Sequence, residues 1–151
     1  MVNFLIDFGL IGLLLATFVS ASIVPFPAEP AIFAALGFYG PILVFFISLL
    51  GGILGSLLNY YIGDRGLRWV FIKRSPEQEK KARKWFDKWG PHILLASLWI
   101  PFIGDAFSLV AGTVKMEFRK FFFYITIARI IKLIVIVIAG QLILTYLYTI
   151  L

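Results

Sequence analysis

The chain has 151 residues, 61% hydrophobic and 15% charged, with a mean hydropathy of +0.97 and a formal net charge of +6. Soluble domains run nearer ~45–50% apolar and ~25% charged, so this composition excludes an ordinary water-soluble domain and predicts an all-α integral membrane protein. Cys is absent and the single His92 has no clustered partner ligands, which excludes disulfides and thiolate metal centres; no metal, cofactor or nucleic-acid partner is expected.

In chain order, the uncharged stretches are residues 8–28, 30–63, 92–104 and 133–151. A helix needs roughly 20 apolar residues to cross the hydrocarbon, so the first, second and last supply about three transmembrane helices and the third is too short alone. The first helix is expected over about residues 4–23. No Lys or Arg precedes it and it ends in Pro25-Phe26-Pro27 rather than a cleavage site, so it reads as a membrane helix and not a signal peptide. Pro25, Pro27 and Pro30 cannot belong to one continuous helix, because each lacks an N–H and disfavours helix in the residue before it. Residues 23–37, closed by the Gly37-Phe38-Tyr39-Gly40-Pro41 turn, therefore predict a re-entrant hairpin. The second spanning helix follows over about 41–62, with Gly51, Gly52, Gly55 and Ser56 available either for packing within the chain or for a homodimer.

From residue 64 to 89 the chemistry changes: nine Lys or Arg against four acids leave +5. Ser75, Pro76 and Gln78 form a helix start, Gly90-Pro91 a stop. Between them Ala82, Trp85, Phe86 and Trp89 share one apolar face while five Lys or Arg fill much of the remainder, a basic amphipathic helix suited to the cytoplasmic headgroup region. Trp85 and Trp89 are its interfacial anchors, and Arg65 and Arg68 anchor the end of the preceding helix. Residues 93–112 are interrupted by Pro101 and Gly104-Asp105. The last helix runs from about residue 121, with Arg129 roughly 12 Å inside it and Lys132 on the same side.

Two segments match. Pro25-Phe26-Pro27-Ala28-Glu29 and Pro101-Phe102-Ile103-Gly104-Asp105 both read Pro-Phe, two residues, then a lone carboxylate, and both continue into an apolar stretch ending in Gly. The offset is 76 residues at the prolines and 75 at the closing glycines. Paired Gly/Pro-interrupted segments in two halves are the signature of an inverted repeat with its binding site at the breaks. The expected organisation is one membrane domain: repeat 1 over about 23–63, the amphipathic connector 64–91, and repeat 2 over about 92–140. Counting crossings then puts the N-terminus and the basic segment on one side and the C-terminus on the other. Every Lys and Arg outside the last helix falls on the first side, which makes it the cytoplasm of a prokaryotic cell.

Glu29, Asp105, Arg129 and Lys132 lie at membrane depth, where each costs ~2.5–3.5 kcal/mol at a helix centre by insertion scales. They predict either a polar pathway, with the cations attracting an anionic headgroup and the acids balancing charge or carrying protons, or ion pairs that lock the hairpins to the last helix. Asn59 either joins that polar face or packs helices. An enzyme would need clustered His, a metal-binding acid set, or a nucleophile with a base. One His and widely spaced acids argue against it, and no catalytic residue is expected.

At these residues the sequence resembles a known family. Gly52-x-x-Gly55-x-x-x-x-Tyr60-x-x-Gly63, the proline-bracketed Glu29, and Pro101-x-x-Gly104-Asp105 followed by Ala111-Gly112 look like the DedA superfamily (VTT domain), in its shorter YqaA-like branch. The resemblance covers about residues 12–140. It implies two opposed re-entrant hairpins and translocation or scrambling of polyprenyl phosphate or phospholipid, proton-coupled in some members. The larger branch carries an acid where this chain has Ser56, and arginines flanking the second hairpin's proline, where this chain has Trp99 and Asp105. The cationic role here then falls to Arg129 and Lys132. The alternatives are a small ion- or proton-coupled solute transporter and a structural membrane protein.

Overall fold

The computed structural model describes residues 2–22, 27–65, 76–97, 99–100 and 104–151, and among them every regular element is a helix. In chain order these are α1 (Val2–Ala21), α2 (Glu29–Leu36), α3 (Pro41–Asp64), α4 (Pro76–Trp89), α5 (Ile93–Ser97), α6 (Gly104–Thr113) and α7 (Phe118–Ile150), with a 3-10 turn at Gly90–His92 joining α4 to α5. The α3 and α7 helices are long and apolar enough to cross a membrane. At 1.5 Å per residue they measure about 36 and 50 Å.

The punctuation in the sequence positions these elements. Pro30 sits in the first turn of α2, where its missing N–H costs nothing, and Pro41 opens α3 in the same way. Pro27 lies in the non-helical lead into α2. Gly90 adopts φ +62°, a conformation that suits glycine and ends α4 where the Gly-Pro pair predicts. Gly104 opens α6. Pro25, Pro101, Arg68 and Ser75 lie outside the described residues.

The packing crosses between the halves. Helix α6 lies on α3, and α2 lies on α7. The closest approaches occur at glycines. A Cβ on Gly63 would run into the Leu109 carbonyl, one on Gly112 into the Tyr60 carbonyl, and one on Gly140 into the Leu36 and Phe33 side chains. Leu109 and Phe33 are 76 residues apart and Gly140 and Gly63 are 77 apart, within one residue of the 76 that separates the two proline motifs. Likewise α1 packs on α3 and α5 on α7.

One expectation is overturned. Counting crossings predicts that the first two long helices run antiparallel, but α1 runs parallel to α3. Gly9 lies at Tyr39, Gly51 at Leu14 and Thr17, Gly55 at Phe18 and Ala21, and Asn59 donates to the Ala21 and Ser22 carbonyls at 2.9 and 3.3 Å. The chain reverses after α1, so α2 returns along it: its start shares a cavity with Thr17 and Ser20, and its end reaches Tyr39 beside Gly9. Helix α2 is thus paired with α1, and not with a separate segment that begins at residue 23. The N-terminal end of α1 lies at the Pro41 end of α3, away from Asp64, beside which counting crossings places it. Run length and proline position count reversals, but they do not say whether an arm is a separate crossing.

Two further differences are local. Helix α7 starts at Phe118 instead of about residue 121, which sets Arg129 eleven residues along it, about 16 Å. The apolar face of α4 docks partly on protein: Phe86 is buried in the cluster with Leu94, Phe107 and Phe121, and the Trp85 ring lies 6.3 Å from Phe107, while Trp89 stays exposed under the Lys88 ammonium.

Candidate functional site

The three predicted charges whose side chains the structure describes meet. Arg129 and Lys132, one turn apart on α7, line a cavity closed by Thr17 and Ser20 of α1, Glu29 and Ile32 of α2, and Ser48 and Gly52 of α3. The Lys132 Nζ lies 3.3 Å from the Glu29 carboxylate, with their side chains 28% and 40% exposed. The Arg129 Nε donates to Ser56 Oγ at 3.0 Å. Gly52 makes room for the guanidinium, since a Cβ there would stand 2.7 Å from Nη1 and 3.1 Å from Cδ. The arginine therefore lies flat in a notch of α3 cut by Gly52 and floored by Ser56. Gly51 and Gly55 are taken up by α1, so the small residues of α3 are used for packing within the chain rather than offered to a second copy.

The cavity measures about 40 Å³, where one water requires ~10–15 Å³. Its described charged residues are Arg129, Lys132 and Glu29. Helix α2 opens at its edge and adds the positive end of a short helix dipole. Ser48 is 2% exposed and its Oγ has no hydrogen-bond partner among the described residues. An unpaired buried hydroxyl costs about 1–3 kcal/mol. Cationic donors, a helix N-terminus and an unused hydroxyl suit an oxyanion that brings several acceptors.

Among the remaining predicted residues, those whose side chains the structure describes stand apart from the cavity. Asn59 is fully buried and spends its amide on the last carbonyls of α1, which makes it a helix-end clamp and not part of the cavity wall. Asp105 is the second residue of α6, and its side chain lies outside the described part of the structure. Arg65 follows the last turn of α3 and is exposed. His92 stacks edge-on against Tyr124 with ring centroids 5.5 Å apart, near the basic end.

Thr17, Ser20 and Ser48 were not singled out from the sequence. Ser48, Gly52 and Ser56 recur at intervals of four, one polar or small stripe down an otherwise apolar helix, and that stripe was the available signal. Among the described residues no group of three or more His, Asp or Glu is placed to hold a metal ion.

Comparison with known proteins identifies the family. The chain is 26% identical over 126 residues to the inner membrane protein YqaA of Escherichia coli, a match spanning 82% of this chain and 85% of that protein. It is 26% identical over 119 residues to undecaprenyl phosphate transporter A of Bacillus subtilis, spanning 74% and 58% of the two chains. An alkaline phosphatase-like protein of Lactococcus lactis is 27% identical over 153 residues, spanning 89% and 70%. No solved structure matches. The VTT domain model matches residues 26–142, from the first proline motif to just past Gly140, and the chain is a membrane protein of the VTT-domain (DedA) family.

Proposed function

We propose that the protein translocates lipids with an anionic phosphate headgroup across the plasma membrane of a prokaryotic cell, the headgroup passing through the cavity at Arg129 and Lys132. The observation that carries this reading is the pair of α7 cations lining one cavity with a Ser48 hydroxyl that has no partner among the described residues. Intramembrane charges that line a polar cavity mark substrate paths. The relative named as an undecaprenyl phosphate transporter supports the same class of substrate. In this reading α1 with α2, and α4–α5 with α6, are hairpins entering from opposite faces, and α3 and α7 are the crossing helices. The end bearing Arg65, Lys115, Arg119 and Lys120 faces the cytoplasm. Glu29 holds Lys132 while the cavity is empty and yields it to the incoming headgroup.

The test is translocation of a fluorescent anionic lipid in proteoliposomes, comparing wild type with Glu29→Gln, Asp105→Asn, Arg129→Ala and Lys132→Gln. Fast translocation by wild type, reduced at least tenfold in folded Arg129 and Lys132 variants, is the expected result. No translocation across several anionic lipids, with and without a pH gradient, overturns it. The alkaline phosphatase-like relative motivates a second arm that assays phosphate release from the same lipids. Release dependent on the same residues would make the protein an enzyme.

A further inference from the structure

Ser48 is the cavity residue whose orientation local structure does not explain. A helical Ser or Thr has a ready partner in a carbonyl three or four residues back. Thr17, Thr113, Thr145 and Thr149 each bond the carbonyl four back at 2.9–3.0 Å, and Ser97 bonds the one three back at 2.9 Å. Ser48 takes neither bond, although it is buried and Val44 lies one turn below it in the same helix. Ser108 and Thr126 also have buried, unpaired hydroxyls, but neither lines the cavity. At Ser48 the missing partner coincides with a polar hollow facing two cations.

We propose that the Ser48 Oγ donates a hydrogen bond to a phosphate oxygen of the headgroup held by Arg129 and Lys132, and that it sets the preference for phosphate over carboxylate. This rests on the headgroup reading of the cavity. The two cations come from α7 and attract any anion without distinguishing its shape. Ser48 stands on α3, so its donor approaches from a different helix. A tetrahedral phosphate spreads its oxygens in several directions and satisfies donors from both walls together. A carboxylate holds both oxygens in one plane on one side of its carbon, so pairing with the cations turns both away from the second wall.

The experiment is a titration of the purified full-length chain in nanodiscs of zwitterionic lipid with dioctanoyl phosphatidate and, separately, with dodecanoate, read by intrinsic tryptophan fluorescence. Wild type, Ser48→Ala, Ser48→Thr, Ser48→Cys and Lys132→Gln are compared. The expected result is that Ser48→Ala weakens phosphatidate binding about tenfold, the effect of losing one hydrogen bond to a charged acceptor, and leaves dodecanoate binding unchanged. Ser48→Thr keeps the donor and stays near wild type. Ser48→Cys keeps the size with a poor donor and shows the alanine's loss, which decides the matter should the alanine variant fold badly. Lys132→Gln weakens both ligands. Unchanged phosphatidate binding in Ser48→Ala and Ser48→Cys, with Lys132→Gln impaired, overturns the role of Ser48 and leaves the headgroup site standing. Equal loss of both ligands in the serine variants overturns the selectivity. Absence of binding by wild type, or indifference to Lys132→Gln, removes the headgroup site and this inference with it.

Discussion

A cation in the middle of an apolar helix must earn its place by pairing or by function, and α7 holds two of them one turn apart. Lys132 pairs with Glu29, but both side chains keep a quarter or more of their surface exposed. In the hydrated cavity that the headgroup reading requires, such a partly exposed pair contributes ~0.2–1 kcal/mol to stability. Lys132→Gln should therefore lower the melting temperature by no more than about 4 °C, while translocation falls at least tenfold. Parallel measurement of melting and transport on the one variant separates the two roles: a transport loss that only tracks unfolding would make the pair a strut. The three charges of the site were legible in the sequence because a charge in an apolar run has few reasons to exist. Asn59 was ambiguous because an amide serves equally to cap a helix or to line a path, and only the position of Ala21 decides between them. Ser48 and Thr17 were silent because helical hydroxyls satisfy themselves locally unless something displaces them.

At the level of elements, glycines fix which helices touch. Helix α6 meets α3 backbone to backbone at Gly63 and Gly112, with Tyr60 stacked on Phe121 and its hydroxyl bonded to the Met116 carbonyl at the same junction. Gly112→Ala places a methyl group against the Tyr60 carbonyl and should cost about 1–3 kcal/mol through forced separation of the two helices. Gly12→Ala is the control. Its Cβ would meet open space on an exposed face of α1, so it should be neutral or stabilise by up to ~1 kcal/mol, since alanine is the better helix former. Thermal unfolding of both variants in detergent checks the contrast, and equal melting temperatures would mean that α6 and α3 are not in backbone contact. The proline–acid repeat anticipated that two short helices would play matching parts. It did not reveal that each would pack on the long helix of the other half, because the apolar residues that make those contacts look alike in every helix of such a chain. The amphipathic face of α4 was legible for the same reason that it was incomplete: periodicity identifies an apolar side but does not tell a headgroup layer from the Phe107 ring.

For the whole molecule, the decisive quantity is the direction of α1. The charge count by itself fits any arrangement that gathers residues 64–91 with Lys115, Arg119 and Lys120, because no Lys or Arg precedes Arg65. It therefore carries no information about the N-terminal end of α1, and the antiparallel expectation rested on counting each long run as a crossing. The contacts of Gly9, Gly51, Gly55 and Asn59 remove that freedom: they rise together along α1 and α3 and put the start of α1 beside Tyr39. Since the chain has no native cysteine, single cysteines report cleanly. In intact cells a membrane-impermeant maleimide should label Asn3→Cys and Phe38→Cys from outside, and Lys84→Cys only after permeabilisation. Phe38 is 86% exposed between α2 and α3, and the proposed topology puts it outside and Lys84 inside whichever way α1 runs. Asn3 alone discriminates. If it labels with Lys84, α1 crosses against α3, and the cavity loses the wall that Thr17 and Ser20 supply; if it labels with Phe38, the two halves enter from opposite faces and the cavity lies where they meet.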